Sequence, residues 1–214
     1  MADVTAHSQT PDTTELATVS ARLVPLFFAS GTAALIYQLC WQRLLFTAVG
    51  VDIESITIVV SVFMLGLGIG ALVGGQLADR RPEWALVFFA ASELAIGLFG
   101  WFSPDLLRGT AQLLAMAPRT AVAAASFGLL LLPTCLMGAT LPVLVAHLSR
   151  RFGNVGHAIG LLYQVNTLGA AVGVALIGFV WFLLFELDAA IRFAAVLNIS
   201  ISMVTVVWLK SRHD

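Results

Sequence analysis

Charge is scarce in this chain of 214 residues: Asp, Glu, Lys and Arg supply 11%, where a soluble globular protein carries about 25%. Hydrophobic residues make up 59%. Together the two figures exclude a water-soluble globular enzyme, and the second excludes intrinsic disorder. A formal net charge of -1 leaves no basic surface for nucleic acid. Cysteine is limited to Cys40 and Cys135, both inside apolar runs, so no extracellular disulfide framework is implied. The four histidines, His7, His147, His157 and His213, fall at tails and run ends without metal-ligand spacing. No nucleophile elbow, phosphate loop or dinucleotide fingerprint occurs; GLGIG at 66–70 sits inside an apolar run with no strand before it. The sequence therefore predicts no catalytic residues, no metal, no cofactor and no enzymatic activity.

What the chain has is long apolar runs, at about 23–49, 55–78, 84–102, 120–147, 157–185 and 189–209. A helix of about 20 residues crosses the hydrocarbon core of a bilayer. The prediction is an all-α polytopic membrane protein with six transmembrane helices and the lipid bilayer as its first partner. Residues 1–21 read as a flexible cytoplasmic tail, 22–210 as the six-helix domain and 211–214 as a second cytoplasmic tail. A secretory signal would have a basic start and a short apolar stretch ending in a cleavage site, whereas here the first apolar run continues to Val49. Basic residues set the orientation, because they resist translocation. An inside N-terminus places Arg22, Arg80, Arg81, Arg150, Arg151, Lys210 and Arg212 in the cytoplasm and only Arg108, Arg119 and Arg192 outside. Both termini are expected inside, in the inner membrane of a bacterium. The external segment 105–118 is read either as a short interfacial helix or as an ordinary loop.

Two halves repeat. Gly66, Gly70 and Gly75 in the second run recur as Gly169, Gly173 and Gly178 in the fifth, each 103 residues on. With six spans, equivalent helices in the two halves run in opposite directions, which is the 3+3 inverted repeat of a transporter half. The plain alternative is close helix packing, since Gly66, Gly70 and Gly74 have small-xxx-small spacing.

Polar groups inside the spans need a partner, a cavity or the headgroups. The candidate intramembrane site comprises Tyr37, Gln38, Trp41, Gln42, Arg43, Glu93, Gln164 and Asn166. Gly31, Ala34, Gln38 and Gln42 share one helix face that is expected to meet other helices; Arg43 points away and snorkels outward toward headgroups or toward Asp52 and Glu54. Glu93 shares a face with Gly97 and Gly100, so it is expected to be packed, either as a hydrogen-bonded neutral group or as a proton-coupling or ligand group. Asn166 faces the same way as Gly169 and Gly173, with Gln164 and Thr167 nearby, and interhelical hydrogen bonding is the expectation. Pro133 and Pro142 should kink or interrupt the fourth helix, with Thr134 and Thr140 placed to bond freed carbonyls.

Five stretches carry a resemblance: FFASGTAALIYQLCWQRLL (27–45), MLGLGIGALVGGQLADRRP (64–82), ASELAIGLF (91–99), LLLPTCLMGATLPVL (130–144) and GLLYQVNTLGAAVG (160–173). They resemble the membrane domain of the membrane-bound spermidine synthase-like proteins, in which membrane helices precede a cytosolic aminopropyltransferase domain. GQLADRR (75–81), with Asp79, Arg80 and Arg81, is similar to the loop between helices 2 and 3 of the major facilitator superfamily. Pro82 and Glu83 replace that motif's later glycine and basic residues. No synthase domain follows within the 214 residues, so the resemblance implies half of a major facilitator-like fold without catalysis. It also implies a membrane module that serves a separately encoded aminopropyltransferase-like partner. The alternatives are a small-solute transporter working as a homodimer and a structural subunit of a larger membrane complex.

Overall fold

In hydrocarbon every backbone N–H and C=O must be bonded within the chain, which favours uninterrupted helices over loops. The computed structural model describes residues 13–50, 52–152 and 155–211, and it is helical almost throughout them. In chain order it has α1 (Thr13–Val49), α2 (Asp52–Arg80), a 3-10 turn (Pro82–Trp84), α3 (Ala85–Leu113), α4 (Arg119–Phe152) and α5 (Val155–Ala175). A π-helical stretch (Leu176–Trp181), the short α6 (Phe182–Leu184) and α7 (Leu187–Lys210) complete it. Among the described residues, six helical stretches are long and apolar enough to cross a membrane. The fold is all-α and multi-pass.

Three sequence expectations are corrected. The helix begins at Thr13, inside the segment read as a tail. No proline or glycine lies between Thr13 and Arg22, and a helix already nucleated extends at little cost; residues 1–12 and 212–214 lie outside the described residues. The segment 105–118 is neither an interfacial helix nor a loop for most of its length, because α3 runs on through Pro104 to Leu113. Only the turn before Arg119 remains, held by Leu114 N–H to Thr110 O at 3.1 Å and Ala117 N–H to Leu114 O at 2.9 Å. And α4 is not interrupted: it continues through Pro133 and Pro142. The Thr134 hydroxyl lies 2.9 Å from both Leu130 O and Leu131 O and Thr140 bonds Met137 O, so among the described residues neither bonds Leu129 O or Gly138 O, the carbonyls that Pro133 and Pro142 leave without a helical N–H. The irregular helix is instead the fifth, at its π-helical stretch around Gly178.

The helices pack in pairs. α2 lies along α4, α1 along α5 and α3 along α7. Glycine permits the first two contacts: a Cβ at Gly66 would overlap Thr134, one at Gly70 the Cys135 carbonyl and one at Gly74 the Ala139 backbone. On the other pair, a Cβ at Gly169 would overlap the Phe28 carbonyl and one at Gly173 the Thr32 carbonyl. Each pair is also tied by a threonine, Thr32 Oγ1 to Gly169 O at 2.9 Å and Thr134 Oγ1 to Val62 O at 3.3 Å. The third matched glycines do not pack: Gly178 meets nothing, and Gly75 reaches only Pro142 at 4.0 Å. Between α1 and α2, Gly50 takes φ +77° and donates to Phe46 O at 2.8 Å, a left-handed helix end that glycine adopts without a Cβ penalty.

Apolar packing forms two main layers, beside a small cluster of Ala78, Ala85 and Val143. One holds Leu23, Phe27, Leu86, Phe89, Leu148 and Trp208; the other holds Ile36, Trp41, Phe63, Ile96, Leu130 and Ile191. Arg22 stacks over Trp208 at the first end, and Arg108 pairs with Asp188 at the second. Large apolar side chains such as Met64, Leu72, Leu98, Phe179 and Val207 point outward, which suits a lipid-facing surface.

Candidate functional site

A polar sheet of side chains separates the two apolar layers. Along α1, Ser30 falls between Phe27 and Ala33; along α3, Glu93 falls between Phe89 and Ile96; along α7, Asn198 falls between Ala194 and Ile201. The three meet. Ser30 Oγ donates to Glu93 Oε1 at 2.6 Å, and Asn198 Nδ2 donates to Glu93 Oε2 at 2.6 Å. Glu93 is fully buried. Among the described residues its hydrogen-bond donors are these two neutral groups, and no basic side chain pairs with it. Ser202 adds a bond to Ala90 O at 2.7 Å, so α7 is bonded to α3 at the carboxyl and again about one turn away. Gly97 brings α3 against Ile199 and Ala195 of α7, where a Cβ would crowd both.

Ser30 and Asn198 also line a cavity of about 290 Å³. Its apolar wall comes from Phe27 and Ala34 on α1, Leu67 and Ala71 on α2, and Met137 and Leu141 on α4. Thr140, Tyr163 and Asn166 complete its polar side. The cavity thus lies where the α2–α4 pair meets the α1–α5 pair, and Glu93 stands one residue behind its wall. Asn198 is 2% exposed, and among the described residues its Oδ1 has no hydrogen-bond partner.

The structure does not gather the eight candidate residues into one site. Tyr37 and Trp41 are core: their rings stack at 4.9 Å, Trp41 Nε1 donates to Ser103 Oγ at 2.9 Å, and a Cβ at Gly100 would overlap the Tyr37 ring. Gln38 is half-buried. Gln42 and Arg43 belong to a different place, a cavity of about 650 Å³ at the end of the bundle with Phe46, Phe182, Phe185 and Leu187. There the Arg43 guanidinium lies over the Phe182 ring at 3.8 Å. Among the described residues Arg43 forms no ion pair with Glu54; the expectation of Asp52 falls on a side chain outside the described residues. Asn166 lines the central cavity and abuts Gly31 of α1. Gln164 and Thr167 face outward, and the Thr167 hydroxyl bonds its own helix at Tyr163 O, so interhelical bonding within the chain is corrected for both. Asp79, Arg80 and Arg81 are exposed at the end that carries Arg22 and Trp208.

Ser30, Ser103 and Asn198 did not stand out in the sequence. Asn198 and Ser202, four apart on a face with Ala194 and Ala195, were the available sign of a polar helix contact. The bidentate Arg108–Asp188 pair, at 2.7 and 2.5 Å, was likewise unassigned. Among the described residues no group of three or more His, Cys, Asp or Glu could hold a metal. Comparison with protein-family models, curated proteins and solved structures finds no match to this chain.

Proposed function

We propose that this chain is a non-enzymatic, transporter-like module of a bacterial inner membrane, with both termini cytoplasmic, that works as a subunit of a larger assembly. The observation that carries the reading is the exchange of helix contacts between the halves. Matching α1 to α4, α2 to α5 and α3 to α7 turns the α2–α4 pair into the α5–α1 pair and leaves α3–α7 unchanged. The glycines follow: Gly66 meets Thr134 as Gly169 meets Phe28, and Gly70 meets Cys135 and Ala139 as Gly173 meets Thr32. Such correspondence is what a 3+3 inverted repeat related to half of a major facilitator transporter would produce. The basic residues Arg22, Arg80, Arg81 and Arg150 share one end of the alternating helices, which supports placing that end in the cytoplasm. By the sequence resemblance, the subunit's partner is a soluble aminopropyltransferase-like protein.

A second reading, a half-size transporter acting as a homodimer, is favoured by α5. That helix turns Gln164 and Thr167 outward, and a carboxamide facing lipid is better satisfied against another helix. Purification in mild detergent, with mass measurement of the intact assembly, tests both. One copy with a soluble partner supports the first reading and two copies the second. A lone chain that retains its fold contradicts both.

A further inference from the structure

We propose that the cavity between α1, α2, α4, α5 and α7 is a binding site for a small primary ammonium ion with an apolar body. The assignment rests on which ends of the polar groups remain available. Glu93 can only accept from Ser30 and Asn198 while their Oγ–H and Nδ2–H point at it, so it fixes both side chains with their donors turned inward. What they have left is acceptor capacity: the lone pairs of Ser30 Oγ and the whole of Asn198 Oδ1, which is buried and, among the described residues, unpartnered. Thr140 is fixed the same way, its hydroxyl hydrogen spent on Met137 O. Three residues that line one cavity therefore offer acceptors, beside Tyr163 and Asn166, which can donate or accept, and among the described residues no basic side chain lines it. An anionic ligand would leave these acceptors unmet and a neutral hydroxyl supplies one donor; an ammonium group supplies up to three, with a positive charge. Glu93, directly behind Ser30 and Asn198, provides the counter-charge without touching the ligand.

The remaining wall is apolar, with Phe27, Leu67 and Met137 among its residues, so the body of the ligand is a short hydrocarbon. A volume of about 290 Å³ lies near the lower limit of small-molecule sites, which suits a small ligand. The site stands on side-chain geometry alone and holds whether the chain serves as an anchor or as half of a transporter, because binding needs no flux.

The test is equilibrium binding of radiolabelled n-butylammonium to the purified full chain in mild detergent. Competitors are unlabelled n-butylammonium, 1-butanol (similar size, uncharged) and tetramethylammonium (charged, without donors). Saturable binding displaced by n-butylammonium and at least about tenfold less well by the other two is the expected result. Ala34→Phe, which fills the cavity without touching the Glu93 hydrogen bonds, should abolish binding while the melting temperature holds; Glu93→Gln should weaken it about tenfold or more. Absence of saturable binding by the folded wild type, equal competition by 1-butanol, or undiminished binding by folded Ala34→Phe would overturn the proposal. The competition series needs no variant, so a misfolded substitution leaves the answer intact.

Discussion

Adding one methyl group at Gly70 and one at Gly68 should have opposite consequences, though the two sites are two residues apart on the same helix. At Gly68 a Cβ meets nothing within 4 Å, whereas at Gly70 it would run into the Cys135 carbonyl and crowd the Ala139 amide of α4. Those atoms are backbone and cannot rotate away, so α2 and α4 must separate along their whole contact. Overpacking of this kind costs about 1–3 kcal/mol. The gain in helix propensity from Gly to Ala, about 0.8–1 kcal/mol in an aqueous host, is common to both sites and cancels in the comparison. The difference between Gly70→Ala and Gly68→Ala should therefore be about 1–3 kcal/mol, with Gly68→Ala at or above wild type. Denaturant-detergent titration followed by circular dichroism reads it as a shift in midpoint. The second half of the chain supplies an internal repetition, since Gly173→Ala should behave like Gly70→Ala and Gly178→Ala like Gly68→Ala. Indistinguishable midpoints for Gly70→Ala and Gly68→Ala would refute the close approach of α2 and α4.

Glu93→Leu should destabilise by about 1–3 kcal/mol by stranding the Ser30 hydroxyl and the Asn198 amide, and adding Asn198→Leu and Ser30→Ala should recover much of the loss in the same titration, since removing all the partners together is nearly neutral. Trp41→Phe keeps an aromatic ring against Tyr37 but loses the bond to Ser103, a cost of about 0.5–1.5 kcal/mol in the same titration; no loss would mean that the bond contributes nothing net to stability. The Arg108–Asp188 pair is partly exposed, at 47% and 25%, so a double-mutant cycle should give no more than about 0.2–1 kcal/mol, shrinking as salt is raised. A coupling that does not fall with salt would mean that the pair is shielded from water.

Helix number was legible because hydrocarbon imposes one rule on every span, and run length alone reports it. The burial of Glu93 was legible for the same kind of reason: Gly97 and Gly100 lie one and two turns along its face, and small residues mark where α3 meets α7 and α1. The ends of the helices were harder. Pro104 and the charges at Asp105 and Arg108 resemble a helix stop, but the preceding turns and the contact of Arg108 with Asp188 carry α3 onward. The partners of Glu93 were illegible because Ser30 and Asn198 lie 63 and 105 residues away, and no local pattern encodes a contact between helices so far apart. Grouping Gln42, Arg43 and Gln164 with Glu93 failed for a related reason. Sequence places a polar residue on a face and at a depth, but which neighbour that face meets depends on the pairing of α1 with α5 and of α2 with α4.

The proposed function requires six alternating crossings with the basic ends on one side of the membrane, a topology that side-specific cysteine labelling can check. In a background with Cys40 and Cys135 replaced, single cysteines are placed at Met116 and Glu186 and, separately, at Arg81 and Arg150, all exposed. A membrane-impermeant maleimide applied to intact cells should label positions 116 and 186 and reach 81 and 150 only after permeabilisation. Labelling of positions 81 and 116 from the same side would contradict the six-span topology, and with it the inverted halves on which the proposed function depends.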